Sequence, residues 1–219
     1  FVRGLEVQPD CFHGVPEGAT KIGVITQFKW AKQSPSFSAG SHVLSMSRGK
    51  MKEHGEPKDR HFLGESKGKT FVVEDVTTTG TSLISTLDKL RDAGVEVAGA
   101  IGLTNRMEKR DDGMTVKEAI ESRGIPYYYM SNSFDLLPEA YSKEKPGKDI
   151  GRAIEIEFEN YGIQNITLVS DNGEIIDRDK SIIIACDLPL NVYEEVIRES
   201  CDYDAIGGYK VGFELALEH

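Results

Sequence analysis

Two adjacent carboxylates, Glu74 and Asp75, precede a run of small and hydroxyl-bearing residues, TTTGTS at 77–82. This combination suits the binding of a phosphate ester of a sugar. Backbone N–H groups of such a loop, and the N-terminus of a helix after it, favour an anion. The hydroxyls of Thr77, Thr78, Thr79, Thr81 and Ser82 add donors, and Gly80 lets the backbone approach closely. Glu74 and Asp75 cannot bind phosphate, so they must face something else, such as ribose hydroxyls or a magnesium ion. The pattern is not a Walker loop, since it lacks the Gly-Lys-Ser/Thr ending and its acids come before the loop.

A second chemically equipped segment is RGKMKEHG at 48–55, which gathers Arg48, Lys50, Lys52 and His54 beside two glycines. Such a loop can swing over a pyrophosphate and neutralise charge that develops on it.

These groups need a frame. Residues 71–73 (FVV) read as a buried central strand, and Leu83, Ile84, Leu87 and Leu90 have helical spacing over 83–93. Residues 1–140 alternate strand and helix patterns, which predicts a parallel α/β sheet. Strands are expected at 11–13, 42–46, 71–73, 96–103 and 125–130, with helices at 19–31, 83–93, 116–122 and 135–141. A charged linker at 142–148 is followed by an amphipathic helix at 149–161. Two strand candidates flank the hairpin signal Asp171-Asn-Gly173, and 181–213 spells one β-α-β unit.

The formal net charge of −10 argues against nucleic acid or an anionic membrane as the main partner, so a phosphate site must be a local positive island. The three cysteines, Cys11, Cys186 and Cys201, are odd in number and far apart, which fits reduced thiols in a cytoplasmic protein. No apolar run is long enough for a membrane span. Residues 217–219 look like a tag remnant and are set aside.

The stretch 71–82 resembles the phosphoribosyl-pyrophosphate (PRPP) signature of type I phosphoribosyltransferases, most closely the orotate phosphoribosyltransferases. The resemblance implies a parallel sheet with helices on both faces and Mg²⁺-dependent transfer of ribose 5-phosphate from PRPP to orotate. It casts Thr77, Thr78, Thr79, Gly80, Thr81 and Ser82 as the 5′-phosphate loop, with Glu74 and Asp75 on the ribose. The family's mobile loop reads Arg-Lys-x-x-Lys-x-His-Gly and is shared across a homodimer. Arg48, Lys52, His54 and Gly55 match it, Gly49 replaces its first lysine, and Lys50 stands next to that position. The resemblance makes Arg48 and Lys50 PRPP contacts, Lys52 and His54 the catalytic pair over pyrophosphate, and Arg106 the orotate contact. GVPEG at 14–18 falls where the family has its pyrophosphate loop, with Glu17 in place of a frequent lysine. About ten residues precede the first core strand, too few for the family's N-terminal hood.

Residues 182–187 (IIIACD) and 208–215 (GYKVGFEL) resemble the opening of orotidine 5′-phosphate decarboxylase, with Asp187 and Lys210 at matching positions. One β-α-β unit cannot close an eight-stranded barrel, so decarboxylation is not expected of this chain alone. The expected division is therefore a transferase core over 1–147 and a linker with a partial decarboxylase-like segment over 148–216. Two other readings stay open: transfer to another base, and a non-catalytic module that binds PRPP or a nucleotide.

Overall fold

The computed structural model describes residues 1–48, 53–54, 60–169, 182–186 and 189–211. The chain falls into two compact units, residues 1–169 and 170–219. The first unit holds β1 (Cys11–Gly14), α1 (Thr20–Lys32), β2 (Ser45–Ser47), β3 (Phe62–Leu63), β4 (Thr70–Thr77), α2 (Thr81–Asp92) and β5 (Val97–Asn105). It continues with α3 (Val116–Glu121), β6 (Tyr127–Asn132), α4 (Ser133–Glu144) and α5 (Lys148–Tyr161).

The strands form one sheet in the order β3-β2-β1-β4-β5-β6. All neighbours are parallel except β2 and β3. That antiparallel edge departs from the wholly parallel sheet that the sequence predicts. The strand β3 is only two residues long and sits among charged residues, so periodicity alone cannot reveal it.

β4 lies third from one edge and is buried on both faces, as its continuous apolar run requires. Alternation sends Val72 to one face and Phe71 and Val73 to the other. Val72 packs in a core with Leu83, Ile84, Leu87 and Leu90 of α2 and Val116 and Ile120 of α3. Phe71 and Val73 pack with Phe12 and Ile101, and Ile22 and Trp30 of α1 close that side. Helices therefore cover both faces. All four α2 residues picked out by spacing are buried, and Leu87 is fully enclosed. Leu87→Ala should destabilise the first unit by about 2–5 kcal/mol. Urea titration followed by circular dichroism checks this, and a loss below about 1 kcal/mol would mean the α2 core is loosely packed.

The compact first unit extends past the expected boundary at 147 because α5 packs on it. Phe158 is buried with its ring 5.5 Å from that of Phe134. The amide of Lys109 donates to the carbonyl of Tyr161 at 2.7 Å, and that of Ile163 to Met107 at 2.9 Å. Beyond the helix, residues 165–168 form no strand. They turn back so that Glu155 accepts the amides of Leu168 and Val169 at 2.7 and 2.8 Å. The hairpin signal at 171–173 lies outside the described residues.

The second unit contains β7 (Ile182–Cys186), α6 (Leu190–Ser200) and β8 (Ile206–Val211). β7 and β8 pair in parallel, which is the β-α-β unit read from the sequence. Ser200 Oγ lies 2.8 Å from Tyr209 Oη, tying α6 to β8.

Candidate functional site

In a sheet of this order the chain runs outward from β1 through β2 to β3, returns to β4 on the other side of β1, and then runs outward through β5 to β6. A crevice is expected at the carboxyl ends of the strands at such a switch point. The loop after β1 (residues 14–18) and the loop after β4 (78–80) both open there.

The two loops meet through Asp75. A Cβ placed on Gly18 would lie 2.6 Å from Asp75 Oδ2, so the carboxylate sits directly on the glycine backbone. Asp75 Oδ1 also accepts the amide of Val76 at 2.8 Å, which fixes the carboxyl plane. Glu74 is 8% exposed and pairs in register with Gly102 on β5. Burial, and then the adjacent Asp75 carboxyl, raise Glu74 from 4.5 to about 7.

The sign of this shift gives a pH dependence. Below the ordinary carboxyl range Glu74 is protonated in folded and unfolded chain alike and contributes nothing. As pH rises from 4.5 to about 7 the unfolded chain releases this proton first, so folding stability falls across that window. Glu74→Gln should remove the fall, gaining about 1–2 kcal/mol on the parent between acid and mildly alkaline pH, a figure discounted for solvent at the strand end. Melting curves of both proteins at several pH values check it; a constant difference would contradict the burial of the charge.

The loop itself has the expected form. Thr77 is buried, Thr78 and Thr79 are half-buried, and Thr81 and Ser82 are exposed at the start of α2. Gly80, at φ 70°, makes the left-handed entry to the helix, and no side chain caps it. The first amides of α2 are thereby left for an anion. Thr79 Oγ1 and Thr81 Oγ1 lie 3.0 Å apart.

Arg106 is brought to this loop by its backbone, whose amide donates to the Thr77 carbonyl at 2.9 Å. Its guanidinium is engaged by Glu108 at 2.7 Å. Both line a cavity of about 390 Å³ with Ser133, Leu137, Ile154 and Phe158. A carboxylate ligand must therefore compete with Glu108 for Arg106.

Arg48 follows β2; its amide donates to His61 O at 2.8 Å and its Nε to Phe62 O at 3.2 Å. The two ends of the basic loop are thus held together at the β2–β3 pair. His54 is exposed, while Lys50 and Lys52 lie outside the described residues. Asp187 also lies outside them, and Lys210 stands on β8 opposite Ala185.

Three features escaped the sequence reading. His13 is fully buried, with Nδ1 2.9 Å from Ser45 Oγ and Nε2 2.9 Å from Ser47 Oγ. Burial lowers it to about 4, so the ring is neutral and braces β2, from which the basic loop departs. Thr77 Oγ1 and Tyr127 Oη are buried facing each other, each 2.7 Å from where a Cβ on Gly102 would stand. Arg110 reaches back from the turn before α3 to the Thr79 carbonyl. Isolated polar residues of this kind carry no spacing signal.

Among the described residues no group of three or more His, Cys, Asp or Glu side chains could hold a metal ion. Among them, too, no helix is long and apolar enough to cross a membrane. Cys11 is a buried free thiol, raised by burial, and Cys201 an exposed one.

The orotate phosphoribosyltransferase of Francisella tularensis superposes with a TM-score of 0.51 at 20% identity, over 72% of each chain. The fold is that of the type I phosphoribosyltransferases. The UMP synthase of Leishmania donovani gives a TM-score of 0.53 at 18% identity, over 71% of this chain and 30% of that one. In sequence, the chain is 33% identical over 137 residues to the orotate phosphoribosyltransferase of Rhodopseudomonas palustris strain BisB5. That match covers 59% of this chain and 66% of the relative, just under two thirds of its length. No family model matches the chain.

Proposed function

We propose that this chain carries the core of an enzyme that transfers ribose 5-phosphate from PRPP to N1 of orotate, giving orotidine 5′-phosphate and pyrophosphate in UMP biosynthesis. The observation that carries the reading is the acidic end of β4. Asp75 rests on Gly18 across the switch point, directly before a helix N-terminus that no side chain caps. The sequence relatedness to an orotate phosphoribosyltransferase supports the choice of base.

In this reading the loop amides and the hydroxyls of Thr78, Thr79, Thr81 and Ser82 hold the 5′-phosphate, while the Thr77 hydroxyl, expected from the sequence to join them, is buried beside Tyr127 and faces away from a ligand. Glu74 and Asp75 hold the ribose hydroxyls, and the Asp75 carboxylate stabilises positive charge as the bond to pyrophosphate breaks. Lys52 and His54, with Arg48 and Lys50, close over pyrophosphate; His54 gives the proton its departure needs. Arg106 orients orotate through its carboxylate in exchange for Glu108. Mg²⁺ fits as a companion of the substrate's phosphate oxygens, where it would neutralise charge, and no protein ligand is assigned to it. The enzyme acts in the cytoplasm as a homodimer that shares the basic loop. The β7–α6–β8 unit is the opening piece of a decarboxylase-like barrel marked by Asp187 and Lys210, and decarboxylation is not assigned to it.

A competition screen tests the choice of base. Orotate should be consumed with PRPP and Mg²⁺, while adenine, guanine, hypoxanthine and uracil should neither react nor compete. Consumption of a purine in its place overturns the assignment. Lys52→Ala separates catalysis from binding, since an enzyme loses turnover with PRPP affinity nearly kept. Absence of turnover in the parent chain with PRPP still bound makes the chain a binding module.

A further inference from the structure

The turn between β5 and α3 holds a cation where the phosphate reading has not used one. Arg110 sends Nη1 to the backbone carbonyl of Thr79, inside the loop that precedes α2. Its other edge is fixed by Asp112, with Nε 3.2 Å and Nη2 3.1 Å from Oδ2. Asp112 is in turn fixed by accepting the amide of Met114 at 3.0 Å. The turn is closed on itself: Arg110 N donates to Met114 O at 3.1 Å, and Gly113 N to Arg110 O at 2.9 Å. The Arg110 side chain is only 19% exposed, so this cation is committed to the loop rather than to solvent.

A second contact braces the same loop from the same side. A Cβ on Gly80 would lie 2.8 Å from Val116 Cγ1, so the first residue of α3 packs directly on the loop's glycine. Carbonyl and glycine are thus held by one neighbouring element, through a hydrogen bond and a van der Waals contact. The Thr79 carbonyl is turned toward Arg110, and a peptide plane whose oxygen points one way points its neighbouring N–H the other. Fixing that plane fixes the direction of the Gly80 amide at the mouth of α2.

We infer that Arg110, held by Asp112, is a positioning residue for the phosphate-binding loop, orienting the residue 79–80 peptide and with it the Gly80 amide offered to a sugar 5′-phosphate. The inference rests on the proposed phosphate site but names a determinant outside the 71–82 motif. A fixed guanidinium lowers the cost of ordering the loop when the anion arrives. Lysine cannot reproduce the arrangement, because one ammonium cannot keep the planar fork on Asp112 while reaching Thr79.

The test is calorimetric titration of the full chain with two separate probes, ribose 5-phosphate and inorganic pyrophosphate. Arg110→Ala should weaken ribose 5-phosphate about tenfold or more, the loss expected for a hydrogen-bonded charge. Pyrophosphate binding should stay within about twofold, because its proposed contacts lie on the loops at 14–18 and 48–55. Arg110→Lys should recover only part of the loss, and Asp112→Asn should show a smaller loss of the same selectivity. Amide hydrogen exchange at residues 79–82 should quicken in Arg110→Ala while the middle of α2 keeps its protection. Equal loss of both probes would show a merely structural arginine and overturn the inference. So would ribose 5-phosphate binding unchanged in Arg110→Ala. If the parent chain binds pyrophosphate but not ribose 5-phosphate, the 77–82 phosphate site fails, and this inference with it.

Discussion

Asp75→Asn is expected to reduce phosphoribosyl transfer by about 100-fold or more while the melting temperature stays within a few degrees. The carboxylate is partly exposed at the strand end, so its removal leaves no buried charge uncompensated. Its hydrogen bond to the Val76 amide survives in asparagine, since the amide oxygen can still accept. The full negative charge beside the proposed ribose site is what disappears. Positive charge that builds on the sugar as pyrophosphate departs is then met by a dipole instead of an anion. Steady-state kinetics should show the loss in kcat more than in KM for PRPP, because the interaction strengthens in the transition state. Activity within about threefold of the parent would remove Asp75 from the chemistry.

The second large effect concerns a residue without a side chain. Gly18→Ala places a Cβ 2.6 Å from Asp75 Oδ2 and 3.1 Å from Cγ, so the carboxylate must move. The obstacle is the end of a side chain and not backbone, so the cost to stability should be small, under about 1 kcal/mol. A displacement of this size at a reacting centre is expected to lower turnover about 10–100-fold. Gly4→Ala is the matched control, because a Cβ there meets nothing within 4 Å, and it should leave activity unchanged. Kinetics and melting curves of both variants decide the point. Parallel loss of activity and fold in Gly18→Ala would mean that the 14–18 loop, and not the position of Asp75, was damaged.

Much of the frame was legible because its signals are local. The FVV run marks a strand buried on both faces, and the four apolar positions of α2 all land in one core. The acid pair followed by TTTGTS was legible as a strand end, a loop and a helix entry, because these are contiguous in sequence. What lay hidden depends on contacts between distant segments. Nothing in the sequence places Gly18 on Asp75 or Arg110 on Thr79, pairs separated by long stretches of chain. The His13 bridge to Ser45 and Ser47 is likewise a consequence of β1 pairing with β2. The linker at 142–148 suggested an early boundary because charge and proline read as a break. The anchoring residue Phe158 lies well past it, and Tyr161 O ties the end of α5 to Lys109.

Arg106 shows the opposite lesson. Its position at the strand end was legible, yet its ion pair with Glu108 was not, because a two-residue spacing in an irregular segment fixes no geometry. A carboxylate ligand on Arg106 would meet Glu108 already in place.

The most direct measurement is the ultraviolet loss of orotate when PRPP and Mg²⁺ are added to the full chain, with Asp75→Asn run alongside. Steady loss of orotate with equimolar release of pyrophosphate, abolished in Asp75→Asn, is the predicted result. Absence of orotate loss while calorimetry still shows PRPP bound would contradict transfer to orotate and leave a site that binds without reacting.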